Sequence, residues 1–205
     1  MLMINGKVAC FISLNGYHPY WLNVFFINYT FIGDGLFAIV LIALMYIYFK
    51  RKQQGLAMLV SFIISGLVTQ IIKNLVNSPR PKLYFETGQY LHFIDGVSLA
   101  NNSSFPSGHT ATAFAIATVL VIMINNKKIQ LSILLAAVLV GYSRIYLAQH
   151  FLLDVVIGSI IGTVSGIIAV YFAVNFKDIK QHIRKMQPLK NSSSQLRSPS
   201  SVQPV

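Results

Sequence analysis

Histidine, arginine, lysine and aspartate side chains gather at the ends of three long apolar stretches, in three short blocks. The blocks are Lys73 with Arg80-Pro81, then Pro106-Ser107-Gly108-His109, and last Ser143-Arg144 with His150 and Asp154. Together they supply three cations, two imidazoles and one carboxylate. Such a set can neutralise the oxygens of a phosphate, attack its phosphorus and protonate the group that leaves.

The third block carries the strongest signal. Asp154 follows His150 by four residues, so the two side chains share one face if a helix begins near His150. The carboxylate could then accept from one imidazole nitrogen and leave the other directed at a substrate. An acid inside an apolar run is costly unless it is paired. We therefore favour a functional pair over a purely structural one.

The second block opens an apolar run and is typical of a helix start. Ser107 can serve as the N-cap, and Gly108 lets an anion approach the backbone. Free amides and the helix dipole favour an oxyanion at this point. His109 falls in the first turn and faces the same place. The alternative is a plain helix start with an interfacial histidine.

The first block adds two cations. Arg80 lies between Pro79 and Pro81, which stiffen the backbone on both sides. Its planar guanidinium matches the oxygens of a phosphate. Lys73 taken alone is typical of an anchor that keeps its ammonium at the membrane interface. Lys82 could assist, although an ordinary loop charge is the simpler interpretation.

The composition indicates a membrane protein. Of the 205 residues, 55% are hydrophobic and only 10% are charged, whereas about a quarter of a soluble domain is charged. The net charge of +11 comes from clusters between and after the apolar runs. That distribution favours cytoplasmic anchors over a nucleic-acid partner. The single cysteine, Cys10, excludes an internal disulfide.

The apolar runs predict an all-α, polytopic membrane helix bundle with five transmembrane helices and an N-terminal interfacial helix. Six spans are the alternative. The first span is short and could begin earlier, within Phe25–Ile32. Glycines and alanines recur along the runs and predict close helix packing. The predicted spans are Gly35–Phe49, Leu56–Val76, Ser107–Ile124, Ile129–Leu147 and Phe151–Phe176.

Three regions follow from this arrangement. Residues 1–33 form an N-terminal interfacial segment, with Tyr17, Tyr20 and Trp21 expected at headgroup depth. Residues 34–176 form the membrane domain that carries the three blocks. Residues 177–205 form a basic and then disordered cytoplasmic tail.

Loop charge predicts the orientation. Eleven of the sixteen basic residues fall on one side of the predicted spans, and this side should be cytoplasmic. The three blocks then lie on the periplasmic or extracellular side of a multi-pass protein, which we expect in a bacterial inner (plasma) membrane. The eleven are Lys50, Arg51, Lys52, Lys127, Lys128, Lys177, Lys180, Arg184, Lys185, Lys190 and Arg197.

The three blocks, with the spacings K-x6-R-P, P-S-G-H and S-R-x5-H-x3-D, resemble the type 2 phosphatidic acid phosphatase family. That family is related to the vanadium haloperoxidases and the bacterial acid phosphatases. All three motifs match without a substitution, in order, and the resemblance extends from about Phe31 to Phe176. It implies an integral membrane lipid phosphatase.

The resemblance also implies a role for each matching residue. His150 would be the nucleophile that forms a phosphohistidine, with Asp154 orienting it. His109 would be the general acid that protonates the leaving oxygen. The phosphate oxygens would be held by Lys73, Arg80, Ser107, Gly108 and Arg144.

The expected substrate is a lipid phosphate or diphosphate at the outer face of the membrane, with membrane lipids as the other partners. Candidates are phosphatidic acid, phosphatidylglycerophosphate, undecaprenyl diphosphate and the phosphates of lipid A. Three fixed cations suit phosphoryl transfer, and the sequence shows no acidic cluster for Mg²⁺. We therefore predict catalysis without a metal or cofactor. The sequence indicates neither the exact lipid nor the oligomeric state.

Two other functions fit less well. A vanadate-dependent haloperoxidase-like enzyme would use the same cradle, but those relatives are larger and soluble. A transporter would need polar groups through the middle of the membrane, whereas the charges here gather at one edge. In the loop of residues 77–105, His92, Asp95 and Asn101 could touch a headgroup, although plain loop chemistry is the favoured interpretation.

Overall fold

The computed structural model describes residues 2–85, 94, 97 and 101–186, with side chains from residue 6 to residue 175 within those ranges. All regular elements in the described ranges are helical, which confirms the all-α class. A 3-10 turn, Thr30–Gly33, follows α2, and a π-helical turn, Leu44–Tyr48, follows α3. The helices are α1 Leu2–Leu14, α2 Tyr20–Tyr29, α3 Gly35–Ala43, α4 Lys52–Val76, α5 Pro81–Tyr84, α6 Gly108–Met123, α7 Lys127–Tyr146 and α8 Leu152–Met186.

Several of these elements are long and apolar enough to cross a membrane. Three single stretches qualify within the described residues: Lys52–Tyr84, Lys127–Tyr146 and Leu152–Asn175. The pair Tyr20–Gly33 and Gly35–Tyr48 qualifies as one unit that bends by 58°. The bent unit begins well before Gly35, which agrees with the alternative that the first span starts earlier than Gly35.

Helix α6 is apolar but has only 16 residues, or about 24 Å of helix. At one end, its Met123 carbonyl accepts a hydrogen bond of 3.4 Å from the Gln54 side chain of α4. At the other end, Gly108 lies next to the Lys73 ammonium of α4. Helix α6 therefore runs alongside α4. With the bent pair counted as one, the described residues hold four candidate spans and this shorter apolar helix.

Helix α6 packs against α4, α7 and α8, and its contact with α8 depends on glycine. A Cβ atom placed on Gly162 would lie 2.8 Å from the Ala115 nitrogen and would collide with the Ala111 carbonyl oxygen. Cβ atoms placed on Gly158 and Gly166 would likewise lie too close to atoms of α6 or of the residue just before it. The predicted packing through small residues is confirmed.

We expect Gly162→Ala to destabilise the protein by about 1–3 kcal/mol, because its methyl group would push on helix backbone that has no room to move. The measurement is the Tm in detergent. Gly66→Ala is the matched control, since no atom outside its own helix turn lies within 4 Å of the added methyl group. Equal Tm values for the two variants would contradict the prediction.

The opposite face of α8 exposes large apolar side chains. Val156, Ile160, Val164 and Ile167 are between 41% and 52% exposed and follow one another at helical spacing. A face of this kind is unfavourable in water and favourable against hydrocarbon. The bundle therefore carries its small residues inward and its large aliphatic residues toward lipid.

The two ends of the bundle differ in character. Residues 50–53 line a depression together with Met123 at the end of α6. The Gln53 side chain donates a hydrogen bond to the Ala173 carbonyl of α8. At the other end, the backbone nitrogen of Ser107 donates to the Asp154 carbonyl at 3.0 Å. The basic loop thus lies at one end, and the second and third blocks meet at the other.

Candidate active site

A cavity of about 490 Å³ opens at the end of the bundle where the three blocks meet. The structure brings six of the eight predicted site residues onto its wall. Apolar side chains, among them Ile27 and Leu147, complete the lining. The six are Lys73, Arg80, Gly108, His109, Arg144 and His150.

The other two residues lie behind the wall. Ser107 is fully buried and caps α6, accepting from the Thr110 nitrogen at 3.4 Å. Its hydroxyl lies 2.9 Å from the Thr110 hydroxyl. It therefore interacts with its own helix rather than lining the cavity. Asp154 is 3% exposed and stands behind His150.

His150 and Asp154 lie side by side as the spacing predicts, although His150 itself is outside the helix. Helix α8 begins at Leu152, so His150 precedes it. A tight turn holds His150 instead: Ala148 has a φ of 51°, and the His150 nitrogen donates to the Arg144 carbonyl at 3.1 Å. The turn still brings His150 Nδ1 to 3.6 Å from Asp154 Oδ2.

That distance is too long for a hydrogen bond, and Nδ1 has no hydrogen-bond partner among the described residues. The Nδ1 edge faces the carboxylate, so the Nε2 edge is the one directed away from it. Burial lowers the pKa of His150 to about 4, and the interaction with Asp154 opposes this effect. Burial therefore favours the neutral imidazole, which is the state needed for nucleophilic attack.

Two donors hold the Asp154 carboxylate in place. Its Oδ2 atom accepts from the Ser104 hydroxyl at 2.5 Å and from the Phe151 nitrogen at 3.0 Å. Ser104 is fully buried and was not singled out from the sequence. One sequence feature could have indicated Ser104: it comes directly before the Phe105-Pro106 peptide, at the edge of the second block.

We expect Ser104→Ala to lower kcat by about tenfold, because the carboxylate loses a charge-assisted hydrogen bond of about 1.5–3 kcal/mol. Steady-state phosphate release measures the effect, with Tm recorded alongside. Ser65→Ala is the control, since Ser65 is equally buried but bonds only to its own helix at Phe62. Unchanged kcat in Ser104→Ala would show that this bond does not support catalysis.

Arg144 is 6% exposed. Its Nη1 atom donates to the Thr30 hydroxyl at 2.5 Å, whereas its Nε atom has no hydrogen-bond partner among the described residues. An unsatisfied donor on a buried guanidinium is costly. A phosphate in the cavity would satisfy it. Thr30 was missed because nothing in its sequence neighbourhood points to a residue 114 positions away.

Arg80 is held at the rim by its neighbours. Its Nη1 atom donates to the Gln149 side-chain oxygen at 2.6 Å, and its Nε atom donates to the Asn102 carbonyl at 3.1 Å. The side chain is half-buried. Fixed donors of this kind bind an anion without first having to be ordered.

Of the three loop residues considered for headgroup contact, the structure describes one. Asn101 accepts a hydrogen bond of 2.8 Å from the Arg80 nitrogen through its backbone carbonyl, which makes it part of the support for Arg80. His92 and Asp95 lie outside the described residues. From the same loop, Val97 contributes to the cavity wall.

Lys73 and the start of α6 act on the same point. A Cβ atom on Gly108 would lie 3.9 Å from Lys73 Nζ and 3.8 Å from the Thr69 methyl group. The ammonium therefore lies close to the first residue of α6, whose amides lack helical partners. Both features favour an anion there. Lys73 is therefore placed to attract an anion as well as to act as an interfacial anchor.

His109 lies on the cavity wall next to an acid that belongs to none of the three blocks. Its Nε2 atom is 3.8 Å from Asp34 Oδ2, at the junction of α2 and α3. The described residues contain no group of three or more His, Cys, Asp or Glu side chains that could hold a metal. Catalysis without a metal stays a prediction.

A membrane helix bundle with two imidazoles and three cations around one polar cavity defines a membrane-embedded enzyme that handles phosphate. The family model for the PAP2 superfamily matches residues 54–178. The chain belongs to the PAP2 superfamily. The match covers α4 to α7 and most of α8, whereas Thr30 and Asp34 precede it.

Named relatives agree with this class. The chain is 28% identical to phosphatidylglycerophosphatase B of Bacillus subtilis over 69% of its own length and 70% of the relative. It is 27% identical to an undecaprenyl-diphosphatase of Sulfolobus acidocaldarius, covering 59% of this chain and 56% of that one. Among solved structures, Aquifex aeolicus LpxE superposes with a TM-score of 0.72 at 31% identity, over 80% of this chain and 94% of LpxE. The chain is thus a membrane phosphatase.

Proposed function

We propose that this protein removes phosphate from a lipid phosphate or diphosphate through a phosphohistidine intermediate, without a metal. The observation that carries the proposal is the single cavity in which His109 and His150 meet Lys73, Arg80 and Arg144. Two imidazoles supply attack and proton transfer, and three cations supply charge neutralisation.

In the first step, the neutral His150 attacks phosphorus through Nε2. The new N–P bond forms as the P–O bond to the lipid breaks. The imidazole ring then carries a positive charge, and the Asp154 carboxylate, 3.6 Å from Nδ1, stabilises it. Because Ser104 and Phe151 already hold the carboxylate, little reorganisation is needed as the charge develops.

His109 completes both steps as an acid and then a base. It donates a proton to the leaving lipid oxygen as the first P–O bond breaks. It then takes a proton from the water that attacks the phosphohistidine, and inorganic phosphate and free His150 result. The guanidinium groups of Arg80 and Arg144 and the Lys73 ammonium neutralise the transferring oxygens.

A lipid substrate is supported by the apolar surface that continues from His109 along α6. Ala113, Ile116 and Leu120 follow His109 at helical spacing and line an apolar cavity of about 120 Å³ shared with α3 and α7. A phosphate held in the polar cavity would leave its hydrocarbon chain beside this surface. The tail then contributes binding energy that is independent of the reacting group.

The relatives do not separate three of the candidate lipids. They include proteins named for phosphatidylglycerophosphate, for undecaprenyl diphosphate and for the 4'-phosphate of lipid A. Phosphatidic acid remains a candidate from the motif resemblance. We place the reaction at the outer face, because the basic loop of residues 50–53 lies at the opposite end of the bundle.

The test is phosphate release by the purified protein in detergent, with each of the four lipids offered separately and EDTA present. We expect turnover of at least one lipid, at a rate that EDTA does not change. If EDTA stops the reaction, the metal-free mechanism is wrong. If no lipid is hydrolysed while a soluble phosphate ester is, the lipid assignment is wrong.

A further inference from the structure

The junction between α2 and α3 places a carboxylate against the proposed acid of the active site. Asp34 Oδ2 lies 3.8 Å from His109 Nε2. The other oxygen, Oδ1, accepts a hydrogen bond of 2.8 Å from the Leu36 nitrogen and caps α3. The cap therefore holds the carboxylate by one oxygen and leaves the other facing the imidazole.

Packing holds this junction in place independently of the Asp34–His109 pair. A Cβ atom on Gly33 would lie 2.9 Å from the His109 carbonyl oxygen and 2.6 Å from a methyl group of Val140. Glycine is therefore required for the junction to lie directly on the start of α6. One turn earlier, Thr30 accepts the hydrogen bond from Arg144. The junction thus contacts two site residues at once.

The charges around His109 make this carboxylate chemically relevant. Several elements direct positive or titratable groups at the ring. Among the described carboxylates, only Asp34 lies within 4 Å of the imidazole. The other groups are Lys73 from α4, Arg80 from the segment before α5, Arg144 from α7 and His150 from the connection between α7 and α8.

We propose that Asp34 is a positioning residue that orients His109 and stabilises its proton until the leaving oxygen takes it. This inference rests on the proposed function, in which His109 is the acid. The proton moves from His109 to the lipid oxygen as the P–O bond breaks, and a proton from water later returns to His109. Asp34 stays ionised throughout and gives up no proton. At 3.8 Å its action is electrostatic rather than a direct hydrogen bond.

Substitutions at this position can separate the charge from the helix cap. Asp34→Asn and Asp34→Ser keep a side-chain oxygen that can cap α3 but remove the negative charge. We expect the alkaline limb of the plot of kcat against pH to move to lower pH by about one unit. A shift of this size is usual when an opposite charge at this distance is lost. Above the wild-type limb kcat falls about tenfold, whereas well below it kcat changes much less. KM stays equal or falls, since a negative charge near the anion site is gone.

Asp34→Glu is the complementary variant. It keeps the carboxylate but is a poorer cap for α3, so Tm should fall while the alkaline limb stays close to that of the wild type. A purely structural role for Asp34 would produce the opposite pattern, in which kcat and KM follow Tm at every pH.

The inference is overturned if the profiles of Asp34→Asn and the wild type superpose, or if Asp34→Glu shifts the limb as far as Asp34→Asn does. Failure of the proposed function has a different signature. In that case the wild-type protein releases no phosphate from any lipid, or His109→Ala keeps the wild-type rate and profile.

Discussion

Replacing His150 with alanine is expected to abolish phosphate release, lowering kcat by at least about a thousandfold. The change removes the only side chain that the proposed mechanism uses to form a bond to phosphorus. The rest of the site stays in place, because Asp154 is held by Ser104 and Phe151 rather than by His150. Tm in detergent should therefore change less than activity does.

Trapping of the intermediate gives a direct measurement. Wild-type protein quenched in alkali after mixing with labelled substrate should carry a label that acid removes, as a phosphoramidate does. His150→Ala should carry none. Residual turnover above about one per cent of wild type would mean that another group is the nucleophile, and a label retained by the variant would identify where to search.

Replacing Arg144 with alanine is expected to lower kcat/KM by about a hundred- to a thousandfold, the usual cost of one donor to a developing oxyanion. Arg144 is 6% exposed, and its Nε atom has no hydrogen-bond partner in the described part of the chain. The phosphate is the group that would satisfy it. Arg144→Lys should recover only part of the loss, because an ammonium lacks the planar fork.

The same substitution also leaves Thr30 without its hydrogen bond from Arg144, so stability must be measured separately. Inhibition by inorganic phosphate reports binding in the absence of turnover and should weaken in parallel with kcat/KM. Arg51→Ala is the control, since Arg51 is exposed and lies at the opposite end of the bundle. Retention of phosphate inhibition in Arg144→Ala would remove this residue from the phosphate site.

Some features of the molecule follow from local sequence. The apolar runs specify helices in a membrane because every backbone polar group must be paired within the segment. Glycines spaced by four residues on α8 specify the face that approaches α6, since side-chain position on a helix repeats with its pitch. The motif spacings likewise specify which ends of the helices carry charge, and hence that these groups share one edge of the membrane.

The position of His150 relative to the start of α8 could not be predicted from the motif spacing. A spacing of four residues suits a helix that begins at His150, whereas the observed helix begins at Leu152. Helix ends are uncertain by one or two residues when only the sequence is known. The left-handed turn at Ala148 had no glycine or asparagine to signal it.

The sequence by itself determined which reactive groups are present, that they belong to a bundle of apolar helices and that they gather at one end of it. Only the tertiary structure decided which side chains support them, namely Ser104 behind Asp154, Thr30 beside Arg144 and Asp34 against His109. Composition and periodicity act over a few helical turns. These three contacts join separate segments, and they exist only because close packing brings those segments within a few ångströms of one another.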